Sequence, residues 1–142
     1  MASHFLNRFQ FTFLLALSLS LLPASVPKSV AVELNPFQEG LKAYRQADYQ
    51  RAAACFNESL SLHLQPYTAH YLRGVCLLQL HDFNGALADT AAAAQLKPGE
   101  GAPWNLRHSA LVKKHDQRGA TAAVEHAVRL APNNALYHNN LA

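Results

Sequence analysis

The sequence predicts an all-α fold, in which three helix-turn-helix repeats and part of a fourth follow an export segment. Three observations indicate this. Beyond residue 32 the apolar residues recur at helical rather than alternating spacing, equivalent residues return every 34 positions, and proline or aspartate stands where helices begin and end. The chain has 142 residues, of which 50% are hydrophobic and 15% charged, a composition that excludes the class of disordered proteins.

Residues 1–31 have the three zones of a secretory signal peptide. Arg8 supplies the positive charge, residues 11–22 form an uncharged and mostly apolar run, and Ser29-Val30-Ala31 provides the small residues of a cleavage site. The apolar run is shorter than the roughly 20 residues that a membrane-spanning helix needs. We therefore expect cleavage after Ala31 and an exported protein, either secreted or periplasmic/lumenal. The alternative is an uncleaved segment that anchors the chain to a membrane.

The charge balance does not predict a nucleic-acid partner. The formal net charge of +3 includes Arg8 and Lys28, whereas all nine acidic residues follow residue 31, so residues 32–142 carry a net charge of only +1. A nucleic-acid interface needs a basic stripe on the folded part of the chain. The sequence contains no such stripe.

Three residue types carry the 34-residue period. Aspartate, alanine and leucine each recur three times at this spacing, as Asp48, Asp82 and Asp116, as Ala52, Ala86 and Ala120, and as Leu62, Leu96 and Leu130. The period divides the chain into repeats at 33–66, 67–100 and 101–134, with 135–142 as the start of a fourth repeat or a truncated capping helix. Because a single helical pair cannot bury its apolar face, the stacking of successive repeats has to supply the core.

Each repeat is predicted to contain two helices. The first repeat begins at Asn35-Pro36, a capping residue followed by proline at the first helical position. In the second repeat, Thr68–Leu80 and Phe83–Leu96 both show helical periodicity. Pro98 and Pro132 close their repeats, because proline cannot continue a helix.

The aspartates of the period are predicted to be structural caps. Asp82 lies directly before its helix, where a side-chain oxygen accepts hydrogen bonds from free backbone amides. Asp48 and Asp116 share this register, so the same cap is used three times. Glycine shares another register at positions 40 and 74, where it allows close helix packing, and His108 in the third repeat predicts looser packing there.

With these features the chain resembles the tetratricopeptide repeat family. The residues that match the family pattern are Leu72-Arg73-Gly74, Asp82-Phe83, Gly85 to Asp89, Ala93, Leu96, Pro98 and Trp104. The resemblance covers residues 33–134. It implies a right-handed α-solenoid that binds a protein or peptide on a concave face formed by the first helices of the repeats.

The resemblance also implies, register by register, which side chains line that face. They are Phe37, Leu41, Tyr44, Arg45, Tyr71, Val75, Leu78, Gln79, Asn105, Ser109, Val112 and Lys113. Relatives that clamp a chaperone's C-terminal carboxylate use polar groups where this chain has Leu41, Leu72 and Val75, so we do not expect that clamp. The apolar and aromatic face predicts an extended peptide or an amphipathic helix as the ligand. The alternative is that these residues pack against further repeats or against a second copy of the chain.

The sequence predicts no catalysis, cofactor or metal. It lacks a Gly-x-Ser-x-Gly motif, a phosphate-binding glycine loop and paired carboxylates in a shared register. His81 and His115 lie on equivalent turns of neighbouring repeats, where stacked helices would hold them on the order of 10 Å apart. One metal ion binds its ligands at about 2 Å, so these histidines cannot share an ion.

The two cysteines leave two alternatives open. Cys55 lies on the second helix of the first repeat and Cys76 on the first helix of the second repeat. The resemblance makes these helices neighbours, and a disulfide forms if the two Cα atoms come within about 7 Å. Either the cysteines form this disulfide, or both are buried free thiols.

The predicted function is an exported, non-catalytic module for protein–protein interaction or scaffolding. The alternative is a membrane-tethered assembly factor that keeps its N-terminal segment and recruits envelope proteins.

Overall fold

The computed structural model describes residues 35–142, which form seven α-helices and no strand. The helices are α1 (Pro36–Arg45), α2 (Tyr49–Ser61), α3 (Pro66–Gln79), α4 (Phe83–Leu96), α5 (Ala102–Lys113), α6 (Gln117–Leu130) and α7 (Ala135–Leu141). This confirms the predicted all-α helical-repeat fold. The predicted signal peptide at residues 1–31 and its cleavage position lie outside the described residues.

The helices pack in the order of the sequence. Every helix contacts the next one along the chain, and α3 also contacts α5. The pairs α1/α2, α3/α4 and α5/α6 are therefore the units of an α-solenoid, in which each unit is stabilised by its neighbours.

The turn inside each pair is built in the same way three times. Ala47, His81 and His115, which are 34 residues apart, adopt left-handed backbone with φ of 58°, 63° and 60°. In the first turn the amide of Ala47 donates to the carbonyl of Tyr44, and the amide of Asp48 donates to the carbonyl of Ala43. These two bonds form a Schellman motif, which satisfies carbonyls at the end of the first helix.

The aspartate after each left-handed residue begins the second helix. Asp48, Asp82 and Asp116 are the N-caps of α2, α4 and α6. Each carboxylate accepts a hydrogen bond from the backbone amide three residues later, at 3.1, 2.9 and 2.9 Å. The aspartate thus has two roles, since its amide caps the preceding helix and its side chain caps the next. These two roles explain why aspartate recurs at this position in all three pairs.

The connection between the first two pairs departs from the prediction. Helix α3 begins at Pro66 rather than Thr68, and it ends at Gln79 rather than Leu80. Its N-cap, Gln65, has a left-handed φ of 49° and makes no side-chain capping bond. Proline starts the helix because its fixed φ suits the first helical position and its missing amide needs no partner there.

The core consists of small clusters along the array, and one residue register controls how closely each pair packs. A Cβ on Gly40 would lie 2.7 Å from Cε1 of the fully buried Phe56, so glycine admits that ring. In the third pair the corresponding residue is His108, which is half-buried. Its Nδ1 donates to the carbonyl of Ala120 at 3.0 Å, a bond that joins α5 to α6 where the sequence predicts looser packing.

Candidate functional site

The candidate site is the side of α1, α3 and α5 that carries the residues assigned to a binding face. We call it the groove face and define it by Leu41, Tyr44, Tyr67, Tyr71, Val75, Leu78, Asn105, Ser109 and Val112. Except for Val112, which is exposed, these side chains are half-buried. A half-buried side chain packs firmly on one side and keeps contact area available on the other, which is the condition for binding a partner.

Phe37 does not belong to this face, contrary to the prediction. It is only 8% exposed, and its ring packs against the ring of Phe56 with the centroids 5.9 Å apart. Because Gly40 carries no side chain, the ring of Phe56 reaches α1, and Phe37, one turn earlier, closes over it. Leu41 and Tyr44 also pack against this cluster, but both keep part of their surface exposed.

The centre of the groove face is formed by α3. Tyr71, Val75 and Leu78 are half-buried, while Gln79 is exposed at the helix end. Burial raises the pKa of the Tyr71 hydroxyl, and the nearby hydroxyls of Tyr137 and Tyr44 raise it further. The three tyrosines come from three different helices.

Sequence reasoning did not single out two further tyrosines, Tyr67 and Tyr137. Tyr67 lies four residues before Tyr71, so both project from the same side of α3, and this spacing could have identified it. Tyr137 lies on α7, and its ring covers Gly101 so closely that a Cβ there would be 2.7 Å from Cε2 of the ring. Burial raises the pKa of both hydroxyls, and Glu100 adds to the shift in each case.

The far end of the face is polar. The side-chain oxygen of Asn105 accepts a hydrogen bond from the amide of Asn140 at 2.7 Å, which ties α5 to α7. The hydroxyl of Ser109 donates to the backbone carbonyl of Asn105 at 3.3 Å. Paired amides beside an apolar surface can exchange hydrogen bonds with the main chain of a bound peptide.

Two of the charged residues near the groove face are basic and lie at the ends of helices. Arg45 is the last residue of α1 and Lys113 the last residue of α5, and both are exposed. Gln79 occupies the equivalent position of α3. The face therefore combines an apolar centre with two cations at one edge.

A buried ion centre joins α3 to α4, and the sequence did not reveal it. The carboxylate of Asp89 on α4 is 2% exposed and accepts two hydrogen bonds from the guanidinium of Arg73, at 2.8 and 2.7 Å. It accepts a third from Nδ1 of His70 at 2.8 Å. Arg73 also donates to Asn57 on α2 at 2.7 Å, so the centre connects α2, α3 and α4. An acidic residue on an apolar side of α4, between Ala86 and Ala93, is the signal that could have found it.

Both cysteines are free thiols in the structure. Cys76 is buried, as expected for a free thiol in the core, and burial raises the pKa of its thiol to about 11. The thiolate is the reactive form of cysteine, so Cys76 is a packing residue rather than a nucleophile at neutral pH. Cys55 is only half-buried, and burial also raises its pKa.

Two further properties concern residues 35–142 as a whole. Nowhere in this part of the chain do three side chains of His, Cys, Asp or Glu converge as a metal site. None of its helices combines the length and the apolar character that crossing a membrane requires.

The fold is shared with solved structures of helical-repeat proteins. No protein-family model matches the sequence, and a search of curated proteins finds no match. MamA (residue 41 to the end) from Desulfovibrio magneticus RS-1 superposes with a TM-score of 0.70 at 27% identity, covering 75% of this chain and 60% of the MamA chain. The chain thus spans less than two thirds of the length of that structure.

Two tetratricopeptide repeat domains match over more of their own length. The OM64 domain from Arabidopsis gives a TM-score of 0.70 at 22% identity, covering 75% of this chain and 88% of the domain. The first domain of Spaghetti (RPAP3), bound to the HSP90 peptide SRMEEVD, gives 0.68 at 23% identity, covering 75% and 84%. Together with the 34-residue period and the three identical turns, these matches show that the chain has the helical-repeat fold of tetratricopeptide repeat domains.

Proposed function

We propose that this protein is an exported interaction module that holds an extended peptide on the groove face. The observation that carries the proposal is the set of half-buried aromatic and aliphatic side chains on α1 and α3, namely Tyr44, Tyr67, Tyr71, Val75 and Leu78. In residues 35–142 no tyrosine hydroxyl has a hydrogen-bond partner. Tyr44 and Tyr71 are half-buried, so each can offer its hydroxyl and part of its ring to a ligand. The ring of Tyr67 carries the ammonium group of Lys97 at 4.5 Å from its centroid, and Tyr137, which is 7% exposed, supports the face from the core. Tyrosine is enriched among the residues that dominate binding energy at protein interfaces.

The chemistry of the face favours apolar side chains in the ligand over a terminal carboxylate. Leu41, Leu72 and Val75 are half-buried and apolar, at the positions where a carboxylate clamp would need polar groups. A peptide ligand is supported by structural neighbours that were solved with bound peptides, among them the first domain of Spaghetti with an HSP90 peptide and the second domain of human RPAP3 with an HSP70 peptide. In the present protein, we infer that Asn105 and Asn140 contact the peptide main chain and that the tyrosines and aliphatic residues contact its side chains.

The groove face can be tested with peptides selected from a random displayed library. Leu78→Asp is expected to weaken binding of a selected peptide by about tenfold or more, since it puts a charge into the apolar centre, and Tyr71→Ala is expected to have a similar effect. Binding is measured by fluorescence anisotropy, and the circular dichroism spectrum has to remain helical.

Leu96→Asp is the matched control for this test. It makes the same change at a leucine that is 48% exposed on α4, away from the groove face. Equal affinities of the Leu78→Asp and Leu96→Asp proteins would contradict the proposal.

Export is tested at the mature N-terminus. Mass spectrometry of the protein from the organism that makes it is expected to find Val32 as the first residue, because the signal-peptide pattern places the cleavage site after Ala31. An intact N-terminal segment would instead support the membrane-tethered assembly factor.

A further inference from the structure

A cavity of about 470 Å³ lies between α4 and α5, and the groove face does not use it. Its walls include Ala91, Ala94 and Gln95 from α4, Pro98 after that helix, and Trp104 and Arg107 from α5. Binding sites for small molecules have volumes of about 300–1,000 Å³ and combine apolar walls with a few polar groups. This cavity meets both conditions.

The cavity is separate from the groove face because its residues lie on another side of α5. Successive residues of a helix are turned by about 100°, so Asn105 and Ser109 project in nearly the same direction. By the same geometry Trp104 and Arg107 project about 100–160° away from Asn105. A ligand in the cavity and a peptide on the groove face would therefore contact different surfaces.

The apolar walls suit a flat or branched group. The methyl groups of Ala91 and Ala94 and the ring of Pro98 line one side, and the indole of Trp104 faces the cavity from α5. The indole is supported by the ring of His126 on α6, with the centroids 4.0 Å apart. Because the indole is held in place by this contact, it offers a rigid surface on which an aromatic ring can stack.

Arg107 is the one cationic residue among those that line the cavity. It is half-buried, and among residues 35–142 no carboxylate lies within salt-bridge distance of its guanidinium. The other half-buried arginine that lies beside α4, Arg73, has a carboxylate partner. A guanidinium binds a carboxylate through two parallel hydrogen bonds, and the side-chain amide of Gln95 in the same cavity can donate another.

We propose that this cavity is a binding site for a small aromatic monocarboxylate. The aromatic ring of the ligand lies between the indole of Trp104 and the alanines of α4, and its carboxylate pairs with Arg107. One guanidinium and no second cation at the cavity match a single negative charge.

Trp104 is the only tryptophan of the chain, so its fluorescence reports directly on the cavity. The probes are 3-phenylpropionate and its uncharged amide, 3-phenylpropionamide, titrated into the full-length protein. The acid is expected to change the emission in a saturable way, and the amide is expected to bind at least about tenfold more weakly, since it cannot form the ion pair.

Arg107→Gln is expected to weaken binding of the acid by about tenfold or more while leaving binding of the amide unchanged. Arg118→Gln is the matched control, because it removes the same charge at an exposed position of α6. Leu78→Asp separates this proposal from the proposed function, since it is expected to disable the groove face and leave the acid bound. Equal affinities for acid and amide, or an Arg107→Gln protein that binds the acid normally, would overturn the proposal.

The C-terminus of a peptide chain that ends in phenylalanine presents the same aromatic ring and carboxylate. A tetrapeptide with this end tests whether the cavity binds a chain terminus instead of a small molecule. If the cavity takes small molecules, the peptide binds no more tightly than 3-phenylpropionate. Tighter binding of the peptide would overturn the assignment to a small molecule and indicate that the cavity binds the C-terminus of a chain.

Discussion

Replacement of Phe56 by alanine is expected to lower the free energy of unfolding by about 3–5 kcal/mol, the largest effect of any apolar substitution in residues 35–142. The ring is fully buried and is the largest side chain with that property among residues 35–142. It fills the space that Gly40 leaves open and contacts Phe37, so its removal leaves a cavity that no neighbouring side chain can fill. Urea denaturation followed by circular dichroism measures the change.

Two companion variants make this result interpretable. Leu62→Ala truncates a side chain that is 55% exposed, and its expected cost is within about 0.5 kcal/mol. Phe56→Leu retains much of the volume, so its cost should fall between those of the two alanine variants. A loss below about 1 kcal/mol for Phe56→Ala would show that the first pair contributes little to the stability of the array.

Replacement of Asp89 by alanine is expected to cost about 3–5 kcal/mol, because it removes one partner of a buried ion pair. The carboxylate accepts three hydrogen bonds, and its loss leaves Arg73 and His70 without their shared partner. Both partners retain some exposure, at 23% of each side chain, so water can offset part of the cost and the lower end of the range is expected. The measurement is again the free energy of unfolding in urea.

The comparison for Asp89 is an exposed ion pair of the same kind. Arg51 and Glu39 are 3.1 Å apart, with side-chain exposures of 57% and 35%. Arg51→Ala is expected to cost less than about 1 kcal/mol, since water replaces the lost partner. The double variant Arg73→Met/Asp89→Leu should recover part of the stability lost in Asp89→Ala, because it leaves no unpaired guanidinium. Equal costs for Asp89→Ala and Arg51→Ala would contradict a structural role for the buried centre.

Helix starts were predictable where a capping side chain lies directly before the helix. The three capping aspartates, Asp48, Asp82 and Asp116, accept hydrogen bonds from amides only three residues away. Their role can therefore be predicted from the neighbouring residues. The start of α3 was placed too late, because it depends on Gln65 in a left-handed conformation before Pro66. Glutamine carries no signal for that conformation, whereas glycine or asparagine would.

The composition of the proposed groove face follows from helical geometry at its centre and not at its two ends. Tyr71, Val75 and Leu78 share one side of α3, and helical geometry alone places them together. Phe37 was assigned to the face because its register matches that of Tyr71, but the register cannot show that a ring from α2 fills the space beside it. Tyr137 was overlooked because its contact with Gly101 joins residues far apart in the sequence.

By itself, the sequence determined that each repeat is a pair of helices, that three aspartates cap the second helices, and which positions of the first helices share one side. These properties depend on contacts within a few residues, and a period of 34 repeats them. Only the tertiary structure decided that Phe37 is a core residue, that Asp89 holds Arg73 and His70 together, and that Trp104 and Arg107 line a cavity. Each of these outcomes depends on which side chains of separate helices meet, and local spacing carries no information about that.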